Sequence, residues 1–243
     1  MRRHSVYLKG LARHFLQGNY GFFAVSLLCA SLLTSSVSSI PSALFQTADN
    51  LPMYLTQLLI AFMISVLSGM LTDGLTKIAL SVSRNQKAAF SDLFFAFTHQ
   101  ADHFLLVELI LTGITSLLHI PALYMEYLAR QEVLTSLQYN LFSLAWGAAE
   151  IILAILLTLG FRLAVFLLLD QPEMSPLGAL RQSMQLLRGW KKKLLYLEFS
   201  FSGMYLLGLL SVGIGFFWIT PYYETTFAFF YREVTGETRG QEN

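Results

Sequence analysis

The chain has little of what a soluble enzyme or a redox protein needs. One cysteine, Cys29, in 243 residues leaves no intramolecular disulfide and excludes dithiol redox chemistry. Charged residues make up 13% of the chain, about half the usual share, and no polar stretch is long enough to form a sizeable soluble domain. There is no phosphate-cradling glycine loop, no His-Glu-x-x-His and no Gly-x-Ser-x-Gly. Ser68-Gly69 and Asp73-Gly74 lack the surroundings of an intramembrane protease. These absences point away from an enzyme, and no cofactor is indicated.

Three weaker signals also come to nothing. His99 and His103 are four apart with Asp102 between them, a spacing that puts two imidazoles on one helical face. No further Cys or His lies nearby in sequence to complete a metal site, so a solvated pair is the better reading. His119, beside Pro121, reads as an interfacial residue. The run Lys191, Lys192, Lys193 abuts an apolar stretch, so topology and attraction to anionic lipid explain it without nucleic acid.

What the chain does have is apolar sequence: 55% hydrophobic residues and a mean hydropathy of +0.56. A spanning helix needs roughly 20 mostly apolar residues. Six windows meet or approach that: 22–45, 52–75, 104–124, 140–169, 194–211 and 214–231. The last two are short and separated only by Val212-Gly213, so a full hairpin competes with a re-entrant pair. The Ser-rich stretch from Ser35 to Ser39 could be mistaken for a signal-peptide cleavage region. The long amphipathic segment before it favours an uncleaved first span instead.

Charge is segregated along this ladder. Arg2, Arg3, Lys9, Arg13, Arg84, Lys87, Arg181, Arg188, the three-lysine run, Arg232 and Arg239 all fall on alternate connections. The opposite connections carry only Arg130, with Asp49, Glu126 and Glu132. The positive-inside rule then puts both termini in the cytoplasm. The fold expected is an all-α, polytopic membrane helix bundle in a single domain over 1–243, with a polar cytoplasmic tail at 232–243.

Three cytoplasmic segments repeat one design. Leu8, Leu11, Ala12 and Phe15 lie at i, i+3, i+4, i+7, as do Phe90, Leu93, Phe94 and Phe97. Leu177, Leu180, Met184 and Leu187 form a narrower stripe, with Ser175 as N-cap, Pro176 in the first turn and Gly189 at the stop. Each segment is expected to be an amphipathic helix on the inner membrane surface, followed by a two-helix hairpin. Such stripes meet lipid, the protein's own bundle or a docked soluble partner. The second and third units also share Glu-x-x-x-(Thr/Ser)-Gly, at Glu108 to Gly113 and at Glu198 to Gly203.

Ordered motifs in the last third carry a family resemblance: Asp170-Gln171-Pro172-Glu173-Met174-Ser175-Pro176, Ala179-Leu180-Arg181-Gln182-Ser183, Leu187-Arg188-Gly189-Trp190-Lys191, Gly213-Ile214-Gly215, Pro221-Tyr222 and Phe230-Tyr231. Leu16-Gln17-Gly18-Asn19-Tyr20-Gly21 precedes the first span. The chain resembles the bacterial integral-membrane family catalogued as domain of unknown function 975, most strongly over 169–234. The resemblance implies a protein of the bacterial cytoplasmic membrane with about six helices. It brings no activity and no catalytic residue. Glu224 departs from the neutral residue expected after Pro221-Tyr222-Tyr223, and the connection 125–139 is longer than expected.

Ionisable groups inside the spans are the strongest functional pointers, because a charge in hydrocarbon costs a few kcal/mol or more unless paired or hydrated. Glu108 and Glu198 each sit five residues beyond His103 and Lys193, and Arg162 eight before Asp170. At about 1.5 Å per residue all three fall in the cytoplasmic third. They are expected either to form one mixed cluster or to snorkel separately to the headgroups. Glu150 and Glu224 fall deeper and are the candidates for a proton- or cation-responsive site. Two rows of small residues in the first span, Ser26, Ala30, Thr34, Ser38, Ser42 and Ser31, Ser35, Ser39, Ala43, are expected to pack helix on helix.

Two functions follow as expectations. The first is a non-enzymatic bundle with a transport-like or ion-responsive interior. The second is a scaffold that binds a protein partner, or a second copy of itself, through its amphipathic helices.

Overall fold

The computed structural model describes residues 2–44, 51–131 and 133–237. Asp49, Glu132 and Arg239 lie outside them, as do the end of the first expected span at residue 45, the tail beyond 237 and the side chains of Arg2, Arg3, Ser42, Ala43 and Arg130.

Among the described residues all regular structure is helical: α1 (Arg2–Leu16), α2 (Tyr20–Leu44), α3 (Leu51–Ser83), α4 (Phe95–Thr98), α5 (Ala101–Arg130), α6 (Ser136–Thr158), α7 (Ala164–Asp170), α8 (Pro176–Leu186), α9 (Lys191–Phe199), α10 (Ser202–Leu210) and α11 (Phe216–Val234). Short 3-10 turns at Phe90–Phe94 and Leu159–Phe161 precede α4 and α7. Local chemistry explains the boundaries. Gly18 turns the chain between α1 and α2 at φ +88°. A capping box opens α6, where Thr135 Oγ1 accepts from the Gln138 amide and Gln138 Oε1 accepts from the Thr135 amide. Ser175 caps α8 by accepting from the Gly178 amide, with Pro176 at the first helical position.

Among the described residues, five helical stretches are long and apolar enough to cross a membrane: Tyr20–Ile40, Pro52–Ser83, Ala101–Ala129, Ser136–Asp170 and Lys191–Leu210. The expected sixth span is different in kind. It folds as α11, with Glu224, Arg232 and Glu233 on it, and twelve of its nineteen residues are buried. α11 packs on α1, α2, α3 and α10 and is the core element of the bundle. No residue of α6 is buried, and α6 packs chiefly on α5.

The three amphipathic segments differ more than their spacing suggests. In α1 the stripe is buried against the protein itself, with Leu8, Ala12 and Leu16 inside and the Phe15 ring tilted against that of Phe229 at 5.2 Å. The second segment is not one helix but a 3-10 turn followed by a single α turn; Leu93 and Ala96 are buried, while Phe90 and Phe97 are exposed. The reason is a close crossing, since a Cβ on Gly74 would lie 1.9 Å from the Leu93 carbonyl oxygen, so the tighter turn is pinned across α3. In α8 the buried face is Ala179, Leu180 and Ser183, continued by Leu187, and the expected Leu177 and Met184 are exposed.

Two expected spans are broken rather than continuous. The 140–169 window breaks at Leu159–Phe161, and the 194–211 window breaks at Ser200 and Phe201. In each case an amphipathic helix supplies the missing hydrogen bonds. Ser183 of α8 donates to the Gly160 carbonyl (2.9 Å) and accepts from the Leu163 amide (3.1 Å). Lys9 of α1 donates to the Ser200 carbonyl (2.8 Å) with its ammonium 3.8 Å from the Phe201 ring centroid. Burial lowers the pKa of that ammonium below the usual lysine value. Backbone groups freed by a break must find such partners when water is scarce.

Of the small-residue rows in α2, Ser26 and Ala30 are buried, whereas Ser31, Ser35, Ser38 and Ser39 are exposed. Close packing therefore holds only for the first two turns of one row.

Candidate functional site

On α3, Ser65, Gly69, Asp73 and Thr76 recur at i, i+4, i+8 and i+11 along one face. On α5, Glu108, Thr112, Thr115 and His119 recur at i, i+4, i+7 and i+11. The two helices pack against each other, and Glu108 is seated on Gly69, where a Cβ would meet its Oε2 at 1.9 Å. Only glycine leaves room for that carboxyl. One turn along α3, Asp73 lies within electrostatic reach of Glu108 and is itself only 4% exposed.

Arg162 enters from the break between α6 and α7. Its Nη2 donates to Glu224 Oε1 at 3.2 Å, and its Nε lies 4.0 Å from Glu198 Oε1. The guanidinium also sits over two rings, 5.3 Å from the Tyr223 centroid and 4.7 Å from that of Phe227. Tyr223 donates to Glu198 Oε2 (2.8 Å), and Thr76 approaches Glu224 Oε2 at 3.5 Å. Asp73 and Glu108 lie within electrostatic reach of Arg162. Four carboxyl groups from α3, α5, α9 and α11 thus converge on one guanidinium. Two polar atoms in this cluster, Asp73 Oδ2 and Arg162 Nε, are buried without a hydrogen-bond partner.

The cluster forms the charged end of a cavity of about 730 Å³, walled by α6 and α10 through Ile151, Ile155, Leu206 and Leu209. Tyr205, in edge contact with the Tyr223 ring, lies beside the charges. A second cavity of about 650 Å³ lies between α3 and α5 and reaches Ser65, Thr112, Thr115, His119 and Glu150.

Of the five candidate residues, four come together. The expected partners of Arg162 were Glu108 or Glu198. Glu198 is beside it, Glu108 faces Asp73 instead, and the closest partner is Glu224, which had been placed deeper. The helix carrying Glu224 packs within the core, at the level of the break that holds Arg162. Glu150 stands apart, because α6 leans on α5 alone. Its carboxylate meets His119 Nδ1 at 3.1 Å, so this histidine is a carboxylate partner and not simply an interfacial residue. Glu108 and Glu198, equivalent in the repeated Glu-x-x-x-(Thr/Ser)-Gly, do reach the same cluster. Asp73, Thr76, Tyr205 and Tyr223 were missed; the four-residue spacing of Ser65, Gly69 and Asp73 was the available signal.

A separate polar group ties the helix ends. Arg84 donates to both Asp170 oxygens (2.7 and 2.8 Å) and to both Glu237 oxygens (3.0 and 2.8 Å). Tyr231 donates to Asp170 (2.7 Å), and Arg232 donates to Glu237 (2.9 Å) and to the Ser83 carbonyl. Hydrogen bonds to Asp170 and Glu237 raise the Arg84 pKa. Burial opposes ionisation of Glu237, but the bonds from Arg84 and the charges of both arginines outweigh it and hold that carboxyl below the usual range.

Among the described residues no three or more His, Cys, Asp or Glu side chains are arranged to hold a metal ion. His99 instead stacks on Phe95 with ring centroids 4.4 Å apart, and His103 lies 3.7 Å from Asp102. The chain matches no curated protein and no solved structure. A family model described as "Protein of unknown function (DUF975)" matches residues 1–238, and the chain therefore belongs to that family.

Proposed function

We propose that this is a multi-pass protein of the bacterial cytoplasmic membrane, non-enzymatic, with both termini cytoplasmic and with a transport-like interior. The observation that carries the reading is the cluster of four carboxyl groups and Arg162 at the end of a cavity between membrane-length helices. Ionisable groups at such depth are expensive, and where they converge on a cavity they mark ion or solute paths. A polar row supports the same reading. Glu150 and His119 share the second cavity with Thr115, Thr112 and Ser65, and Gly69, Glu108 and Asp73 continue the row to Arg162 and Glu224. Groups able to pass a proton or a small cation therefore extend along most of α3 and α5.

The test is flux in proteoliposomes holding an internal pH dye, across a panel of ions and solutes under an imposed pH gradient. Wild type is expected to show pH-dependent flux, and Glu224→Gln to lose it while inserting normally. No flux from the wild type, with Glu224→Gln still complementing a deletion strain, overturns this reading in favour of the scaffold.

A further inference from the structure

The cavity between α6 and α10 has an unusual build. Its walls are aliphatic, and they face outward as well as inward: Ile151 is 64% exposed and Leu206 58%. The space is thus open sideways, along the flank that a bilayer covers. Its volume of about 730 Å³ falls within the range of small-molecule pockets, roughly 300–1,000 Å³. All of its charge sits at one end.

The charge there is unbalanced. Arg162 is paired with Glu224 and Glu198 and lies over the Tyr223 and Phe227 rings, so its charge is countered from within the floor although its Nε has no hydrogen-bond partner. Glu198 and Glu224 both line the cavity. Behind them Asp73 and Glu108 add two more carboxyl groups, with Asp73 Oδ2 buried and unpartnered. Four carboxyl groups thus converge on one guanidinium. In a low-dielectric setting carboxyl groups in excess of their counter-charges take up protons or a further cation, and an open cavity beside them admits the cation. Tyr205 lies against the same end with its ring 5.7 Å from that of Tyr223, a surface suited to an ammonium group.

We propose that this cavity binds an amphiphile with a cationic amine or quaternary ammonium head and a single aliphatic body. The head lies against Glu198, Glu224 and Tyr205, and the body lies between α6 and α10, having entered from the side. This rests on the transport-like reading and names the substrate class of the same site.

The test is equilibrium dialysis of the full chain in a neutral maltoside detergent with radiolabelled dodecyltrimethylammonium, set against dodecyl sulfate. The cation is expected to bind saturably, about one per chain, and the sulfate at least tenfold more weakly. The double variant Glu198→Gln/Glu224→Gln is expected to lose cation binding by tenfold or more. Should that variant fail to fold, Ile155→Trp, which fills the cavity far from the charges, is expected to cause a similar loss, while Arg84→Ala leaves binding unchanged. Equal or tighter binding of the sulfate overturns the proposal, as does cation binding that neither variant alters. Cation binding without flux of any solute in the liposome assay refutes the transport reading alone. Flux without cation binding refutes the amphiphile alone.

Discussion

Two arginines, Arg84 and Arg162, sit at the centre of the two polar groups of this molecule, and their surroundings are opposite. Around Arg84 and its companion Arg232 there are two carboxylates, Asp170 and Glu237, and all four carboxylate oxygens accept hydrogen bonds from the two guanidinium groups or Tyr231. Charge and hydrogen bonds both balance there, and the group joins the ends of α3, α7 and α11. Around Arg162 there are four carboxyl groups, two orphaned polar atoms and an open cavity. A saturated network fixes geometry, whereas an unsaturated one next to empty space is available to a ligand. The comparison separates a fastening from a site.

The largest effect that tests this contrast is expected at Arg84. Arg84→Ala removes four half-buried charge-assisted bonds and is expected to cost about 2–4 kcal/mol, between the values for exposed and buried pairs. Thermal unfolding in detergent measures it. A loss below that of Arg162→Ala would reverse the assignment of roles.

Next come two glycines on α3. Gly74→Ala would drive a methyl into the Leu93 backbone, whereas Gly69→Ala meets the movable end of Glu108, both at 1.9 Å. Overpacking of this kind costs about 1–3 kcal/mol. Gly74→Ala is expected at the upper end and Gly69→Ala at the lower, but only Gly69→Ala should disturb flux, through Glu108. Equal stability losses from the two substitutions would contradict the account of Glu108 as the yielding partner.

A double-mutant cycle on Arg162→Leu and Glu224→Leu is expected to show a coupling of about 1–2 kcal/mol, with the double variant more stable than the sum of the singles implies. Additive losses would mean that the 3.2 Å contact carries no energy.

The smallest effect concerns acid. Glu237 is held below the ordinary glutamate value, so its contribution is complete above the unfolded-state pKa near about 4.3 and is lost as pH falls through the lower folded-state value. Glu237→Gln should therefore flatten the stability profile on the acid side by less than about 1 kcal/mol. An unchanged slope would show that another carboxylate governs it.

Much of the architecture was legible because it rests on local rules. The α1 stripe, the Ser175 cap with Pro176 and the apolar windows follow from periodicity and backbone chemistry. So did the shared depth of Glu108, Arg162 and Glu198, since depth was counted from flanking charges. Three features rest on tertiary facts instead. The breaks at residues 159–161 and 200–201 depend on Ser183 and Lys9 arriving from other helices. The pairing of Glu224 with Arg162 depends on burial of the aromatic face of α11 against α1 and α3, which distance from flanking charges does not register. Asp73 was passed over because an acid near the end of an apolar window looks solvated until the packing of α5 on α3 brings Glu108 against it.

In the bilayer proposed for it, the chain supplies only part of the enclosure around Glu198 and Glu224. α6 has no buried residue, and α10 exposes Leu206, Leu207, Leu209 and Leu210, so the remaining side of the enclosure is made of acyl chains. Shortening or unsaturating those chains would reshape that side as a substitution would, with the charged residues untouched. Lipid composition enters the site as a variable that the gene does not encode.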